Sequence, residues 1–200
     1  MVWNATDWIL AAAAGAAAGV APIGLFLTFA FWGSLPQRFT RNGSLSLFLA
    51  GYTWPAVTRL LLEALLPMLA FMLASWFSPE RNVAYFAAFA TLLSFYAPFK
   101  DKAPTSAMPL LGATFVFSPL AGFLACGAWF ALFVALRRVG FSTFLTGAML
   151  PLIVLIAQPD TLNAAWGLLF GAVAMARHRQ ALLTPLKHQP RVESFWSQWI

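Results

Sequence analysis

Charge is scarce in this chain: Asp, Glu, Lys and Arg make up 9% of its 200 residues, against about a quarter in a soluble globular domain. Carboxylates are scarcer still, with 6 Asp and Glu in all. That leaves too few for a two-carboxylate site. One cysteine, Cys126, excludes an intrachain disulfide and a cysteine-based zinc centre. The pattern HExxH, the nucleophile elbow GxSxG and the Walker loop are absent. No metal and no cofactor is therefore expected. What fills the space is apolar: 61% of residues are hydrophobic, with 20 Phe and 9 Trp. Such a chain reads as an all-α, polytopic bundle of membrane helices.

Seven apolar runs follow one another: Trp8 to Trp32, Trp54 to Phe77, Val83 to Tyr96, Ala107 to Phe117, Leu120 to Leu136, Phe141 to Ala157 and Leu162 to Ala176. A straight helix needs about 20 residues to cross a hydrocarbon core of about 30 Å. The third and fourth runs fall short, and are expected to be short helices shielded by their neighbours. The first segment has no basic start ahead of its apolar run, so that run is expected to be a retained membrane helix.

The net charge of +6 does not point to nucleic acid, because the cations sit in small groups at run ends. Arg38 and Arg41, Lys100 and Lys102, Arg137 and Arg138, and Arg177, Arg179, Lys187 and Arg191 mark alternate junctions. The junctions between them hold a single basic residue, Arg81. Under the positive-inside rule this places the N-terminus outside and the C-terminus in the cytoplasm, with about seven transmembrane helices. Residues 1–186 form one transmembrane domain on this reading, and 187–200 a short cytoplasmic or interfacial tail. In that tail Phe195, Trp196, Trp199 and Ile200 share a helical face suited to the headgroup layer. Gly15 with Gly19, and Gly167 with Gly171, are spaced one turn apart, as close helix packing inside a bundle requires.

Two constellations could carry function. Arg59 and Glu63 stand at i and i+4 inside the second run, where an ionisable residue is costly unless paired; they are expected to pair with each other. On the cytoplasmic face Lys100, Lys102, Thr105, Ser106, Arg137, Arg138, Arg177 and Arg179 could converge on a phosphate. Thr105 or Ser106 would cap the fourth run while its free amides face the anion. His178, among cations at a helix end, could carry a proton. Topology alone also collects cations at these loops, so both readings stand at this point.

The segment Tyr96 to Leu186 resembles the bacterial acyl-phosphate:glycerol-3-phosphate acyltransferase family, the PlsY family. Tyr96-Ala-Pro-Phe-Lys, Gly112-Ala-Thr-Phe-Val-Phe-Ser-Pro119, Trp129 before Arg137-Arg138-Val139, and Arg177-His178-Arg179 carry the likeness, with Gly33-Ser34-Leu35-Pro36 matching the family's "GSIP" opening. The resemblance implies seven membrane helices with the N-terminus outside, the bacterial inner membrane, and acyl transfer to glycerol 3-phosphate in phospholipid synthesis. It casts His178 as catalytic and Ser34 among the substrate-binding residues.

The family's motifs are altered here. Its Ser/Gly/Asn-rich first loop is reduced to Arg41-Asn42-Gly43-Ser44. Its "KGGKG" loop becomes Lys102-Ala103-Pro104-Thr105-Ser106, without the glycines that let amides approach phosphate closely. Its "RHREN" becomes Arg177-His178-Arg179-Gln180-Ala181. Two readings follow. One is a non-catalytic relative that binds membrane lipids or serves as accessory subunit to other integral membrane subunits; the other is an active acyltransferase.

Overall fold

The computed structural model describes residues 53–96 and 106–179, together with Ile9. Among them are six helices and no strand: α1 (Thr53–Phe77), α2 (Arg81–Tyr96), α3 (Met108–Thr114), α4 (Pro119–Leu136), α5 (Val139–Ala157) and α6 (Thr161–His178). The first apolar run and the aromatic tail lie outside the described residues. Three helices, α1, α4 and α5, are long and apolar enough to cross a membrane. Their outward faces carry Leu61, Leu65, Leu69, Phe123, Phe130, Val134, Leu152 and Ile156, all exposed, as a lipid-facing surface requires.

Local chemistry sets the helix ends. Ser118 caps α4, its Oγ accepting from the Ala121 amide at 3.0 Å. Pro119 follows at the first helical position, where its missing N–H costs nothing. Asp160 caps α6 by accepting from the Leu162 amide at 3.0 Å. α4 ends on Arg137 in the left-handed region, φ 52°, with its N–H donated to the Phe133 carbonyl at 2.7 Å. That is a glycine's position occupied by a side chain.

The fourth apolar run is helical only over Met108–Thr114; residues 115–117 continue as a tighter turn. The amides of Phe115, Val116 and Phe117 each reach back three residues, at 3.2, 3.3 and 3.3 Å. β-Branched and aromatic side chains crowd a helix here. Pro119 further on requires an extended Ser118, observed at φ −167°, ψ 158°. Buried from Pro109 to Thr114, α3 is sheltered by its neighbours as expected.

Two backbone contacts hold the bundle. α5 and α6 form an antiparallel hairpin closed at glycine: a Cβ on Gly171 would overlap the Gly147 carbonyl oxygen. Pro151 has no N–H, so that carbonyl lacks its ordinary i+4 donor, and the Gly171 backbone packs onto it as a weak Cα–H donor would. Gly167 lies against Pro151 and Val154 one turn away, so both glycines of the pair serve the bundle's interior. Likewise a Cβ on Gly112 of α3 would overlap Ala64 of α1.

α6 runs parallel to α2 along a ladder of contacts: Tyr85 with Asn163 and Trp166, Phe89 with Phe170, Tyr96 with His178. Tyr85, Leu92, Leu110, Phe117, Leu150, Val154 and Phe170 make the core between them.

Replacing Gly171 by Val is expected to destabilise the protein by more than about 3 kcal/mol, because a backbone oxygen cannot yield. Gly127→Ala, where nothing lies within 4 Å, should leave it within about 1 kcal/mol of wild type, on the stable side. Arg137→Gly should raise stability by about 1 kcal/mol by removing the left-handed strain. Thermal unfolding of the purified protein in detergent checks all three.

Candidate functional site

The basic end of the bundle is where α1 begins, α2 and α6 end, and α3 and α5 begin. Val139 and Arg179 lie equally far along their helices from the Gly147–Gly171 contact. Arg137 and Arg138, just before α5, and Arg177, His178 and Arg179, at the close of α6, therefore lie toward the same end of the hairpin. Arg137 and Arg179 are exposed, and Arg138 and Arg177 half-buried. Ser34, Lys100, Lys102 and Thr105 lie outside the described residues.

Arg59 and Glu63 pair as expected: the Arg59 Nε donates to Glu63 Oε1 at 2.8 Å. Both are deeply buried, at 7% and 3% exposure. Glu63 Oε2 has no hydrogen-bond partner. The backbone carbonyl of the same residue is also deprived, since Pro67 supplies no N–H to it. Among the described residues, then, Glu63 has two acceptors without their ordinary donor, Oε2 and the backbone carbonyl.

Tyr96 joins this pair to α6. Its hydroxyl donates to the Ser106 carbonyl at 3.2 Å, long for an O–H···O bond, whose usual length is about 2.7–2.8 Å. Glu63 and Arg177 lie close enough to act on it electrostatically. Its ring meets the His178 imidazole edge-on, with centroids 5.8 Å apart.

His178 closes α6 beyond the apolar stretch and is only 6% exposed. Burial first, and the neighbouring Arg177 charge second, hold its pKa down to about 4. At neutral pH it is an uncharged and weakly basic imidazole.

At the start of α3, where an anion site is expected, several described amides are engaged within the chain. Ser106 Oγ already accepts from the Met108 amide at 3.1 Å, and Pro109 has no N–H. The Leu110 amide points at the Tyr96 hydroxyl, and the Leu111 amide donates to the Ala107 carbonyl at 3.0 Å. Pro109 removes one donor, and the Met108, Leu110 and Leu111 amides are turned to Ser106, Tyr96 and Ala107.

Tyr96 was legible as a motif landmark but not as the cover over His178. A second polar network, at the opposite end, escaped the sequence reading altogether. There the Tyr85 hydroxyl donates to Asn163 Oδ1 at 2.8 Å, and Asn163 Nδ2 to Gln158 Oε1 at 2.8 Å. The Trp166 indole donates to Asn82 Oδ1 at 3.0 Å, and the Arg81 guanidinium lies over the Tyr85 ring at 5.4 Å. The available signal was paired spacing: Asn82 and Tyr85, and Asn163 and Trp166, each stand three residues apart in the first turns of their helices.

These features define an integral membrane helical bundle with a buried polar cluster beneath a basic end. The profile of the family described as Glycerol-3-phosphate acyltransferase matches residues 9–187, and the chain belongs to that family. Among solved structures it is similar to PlsY, an integral membrane glycerol 3-phosphate acyltransferase in its lysophosphatidic acid form. The identity is 19%, the TM-score 0.69, and 91% of each chain is covered. No curated protein matches the chain.

Because the His178 pKa is lower in the folded than in the unfolded protein, folding favours the neutral ring. Its stabilisation is complete above about pH 6.5 and is lost as pH falls toward 4, a change of about 3 kcal/mol. Melting of the wild type should fall across that window, and His178→Gln should flatten the slope. Glu63→Leu alone should cost about 3–5 kcal/mol by taking the carboxylate away from a buried guanidinium; Arg59→Leu with Glu63→Leu should recover most of it.

Proposed function

We propose that this chain is a non-catalytic member of its family: a bacterial inner-membrane protein that keeps the lipid-handling bundle and acts as a lipid-binding or accessory subunit. The observation that carries this reading is the state of His178. A general base must reach the proton it takes and should have a pKa near the working pH. This imidazole is buried edge-on against Tyr96 and held down to about 4. In sequence its family companions Glu and Asn are Gln180 and Ala181, and Pro104 stands within the former glycine loop.

On this reading the bundle has seven crossings over residues 1–186, with the N-terminus outside and the C-terminus cytoplasmic. Lys100, Lys102, Thr105, Arg137, Arg138, Arg177 and Arg179 hold the headgroups of lipids at the cytoplasmic face, together with Ser34 and Ser106. Residues 187–200 form the tail that rests at the interface.

A second reading, an active acyltransferase moving an acyl group from acyl-phosphate to glycerol 3-phosphate, draws on one observation. Arg177 and His178 lie toward the same end of the hairpin as Arg137 and Arg138.

Purified wild-type protein, shown to be folded, is expected to make no lysophosphatidic acid from a long-chain acyl-phosphate and radiolabelled glycerol 3-phosphate. Turnover at about 1 per second or faster, lost in His178→Ala, would instead establish the second reading.

A further inference from the structure

Glu63 carries an unused capacity that neither reading employs. Its carboxylate is 3% exposed, one oxygen is held by Arg59, and the other accepts nothing. A buried acceptor left empty costs about 1–3 kcal/mol, more when charged, so native proteins rarely tolerate one without an occupant. Pro67 compounds the shortage by withdrawing the donor due to the carbonyl of the same residue. The Tyr96 hydroxyl, close enough to Glu63 to feel its charge, is turned instead to the Ser106 carbonyl.

The chemistry of the missing occupant is restricted. A phosphate or carboxylate brings only acceptors and a repelling charge. An ammonium would have to be stripped of water in a bundle whose ion pair is already neutral, which is costly. An aliphatic hydroxyl donates one hydrogen bond, carries no charge and is inexpensive to desolvate beside a single charge-assisted acceptor.

We propose that Glu63, with Arg59 holding it in place, forms a subsite for the free hydroxyl of an uncharged amphiphile, so that the protein selects lipids bearing an unesterified alcohol. This inference rests on the lipid-binding reading above and adds the group that is recognised.

The test uses the full chain in detergent micelles containing equal amounts of 1-monooleoylglycerol and its 2,3-dimethyl ether, with retained lipid read by native mass spectrometry. A charge-assisted hydrogen bond corresponds to at least about a tenfold preference, so wild type should retain the alcohol about tenfold or more over the ether. The Arg59→Leu, Glu63→Leu double variant, which keeps an apolar filling, should retain the two equally. Glu63→Gln, should the double variant not fold, turns an acceptor into a donor that an ether oxygen can satisfy; it should narrow the preference severalfold.

Equal retention of both lipids by wild type overturns the subsite and leaves lipid binding standing, with a buried water as the natural partner of Oε2. A preference undiminished in either variant overturns it as well. Retention of neither lipid overturns both the subsite and the lipid-binding reading.

Discussion

The arrangement depends on one backbone contact, the seating of Gly171 on the carbonyl of Gly147. Membrane helices gain nothing from hiding apolar surface from lipid tails, so they associate through close packing and satisfied polar groups. Here a proline four residues on frees a carbonyl, and a glycine on the facing helix brings its backbone against it. The contact fixes the register of α5 and α6. It thereby decides which residues of α6 meet α2, and brings His178 toward the same end of the hairpin as the Arg137–Arg138 junction. A shift of one turn would move the imidazole about 5 Å and separate it from Tyr96.

The same logic reads the two ends of the bundle differently. At the end formed by Asn82, Tyr85, Gln158, Asn163 and Trp166, the Tyr85 hydroxyl, the Asn163 amide and the Trp166 indole each have an acceptor within 3.0 Å. Such a network specifies one packing and asks for nothing further. At the basic end a carboxylate oxygen is unpaired, a tyrosine hydrogen bond is long and a histidine is held neutral. The first end is tied by side-chain hydrogen bonds between helices; at the second the Tyr96–His178 contact joins α2 to α6, and the Arg59–Glu63 pair is held within α1.

Much of this was legible in the sequence. Apolar run length and flanking Ser-Pro and Pro-Asp signals placed α1, α2, α4, α5 and α6 within a few residues, and i,i+4 spacing predicted the Arg59–Glu63 pair. The early stop of α3 was not legible, because Phe115, Val116 and Phe117 are as apolar as the residues before them. Hydropathy cannot distinguish a continued helix from a tight turn. Nor does spacing reveal that the Met108, Leu110 and Leu111 amides are engaged by Ser106, Tyr96 and Ala107, since that depends on where each donor points. The cover that Tyr96 forms over His178 is a contact between helices far apart in the chain. It follows from the α2–α6 register, which single-helix patterns do not contain.

The brevity of α3 bears on how the protein is made. Its seven helical residues rise about 10 Å, a third of the hydrocarbon thickness, and the following turn leaves backbone groups that lipid could not satisfy. Presented alone to a translocon, this segment has little reason to leave the aqueous channel. The Ser118-Pro119 reversal ties it to α4, which is long and apolar enough to cross a membrane. α3 therefore depends on two neighbours, α4, joined to it directly through Ser118-Pro119, and α1, where Ala64 lies against Gly112. The order of synthesis, α1 before α3 and α4 directly after it, supplies those partners as they are needed.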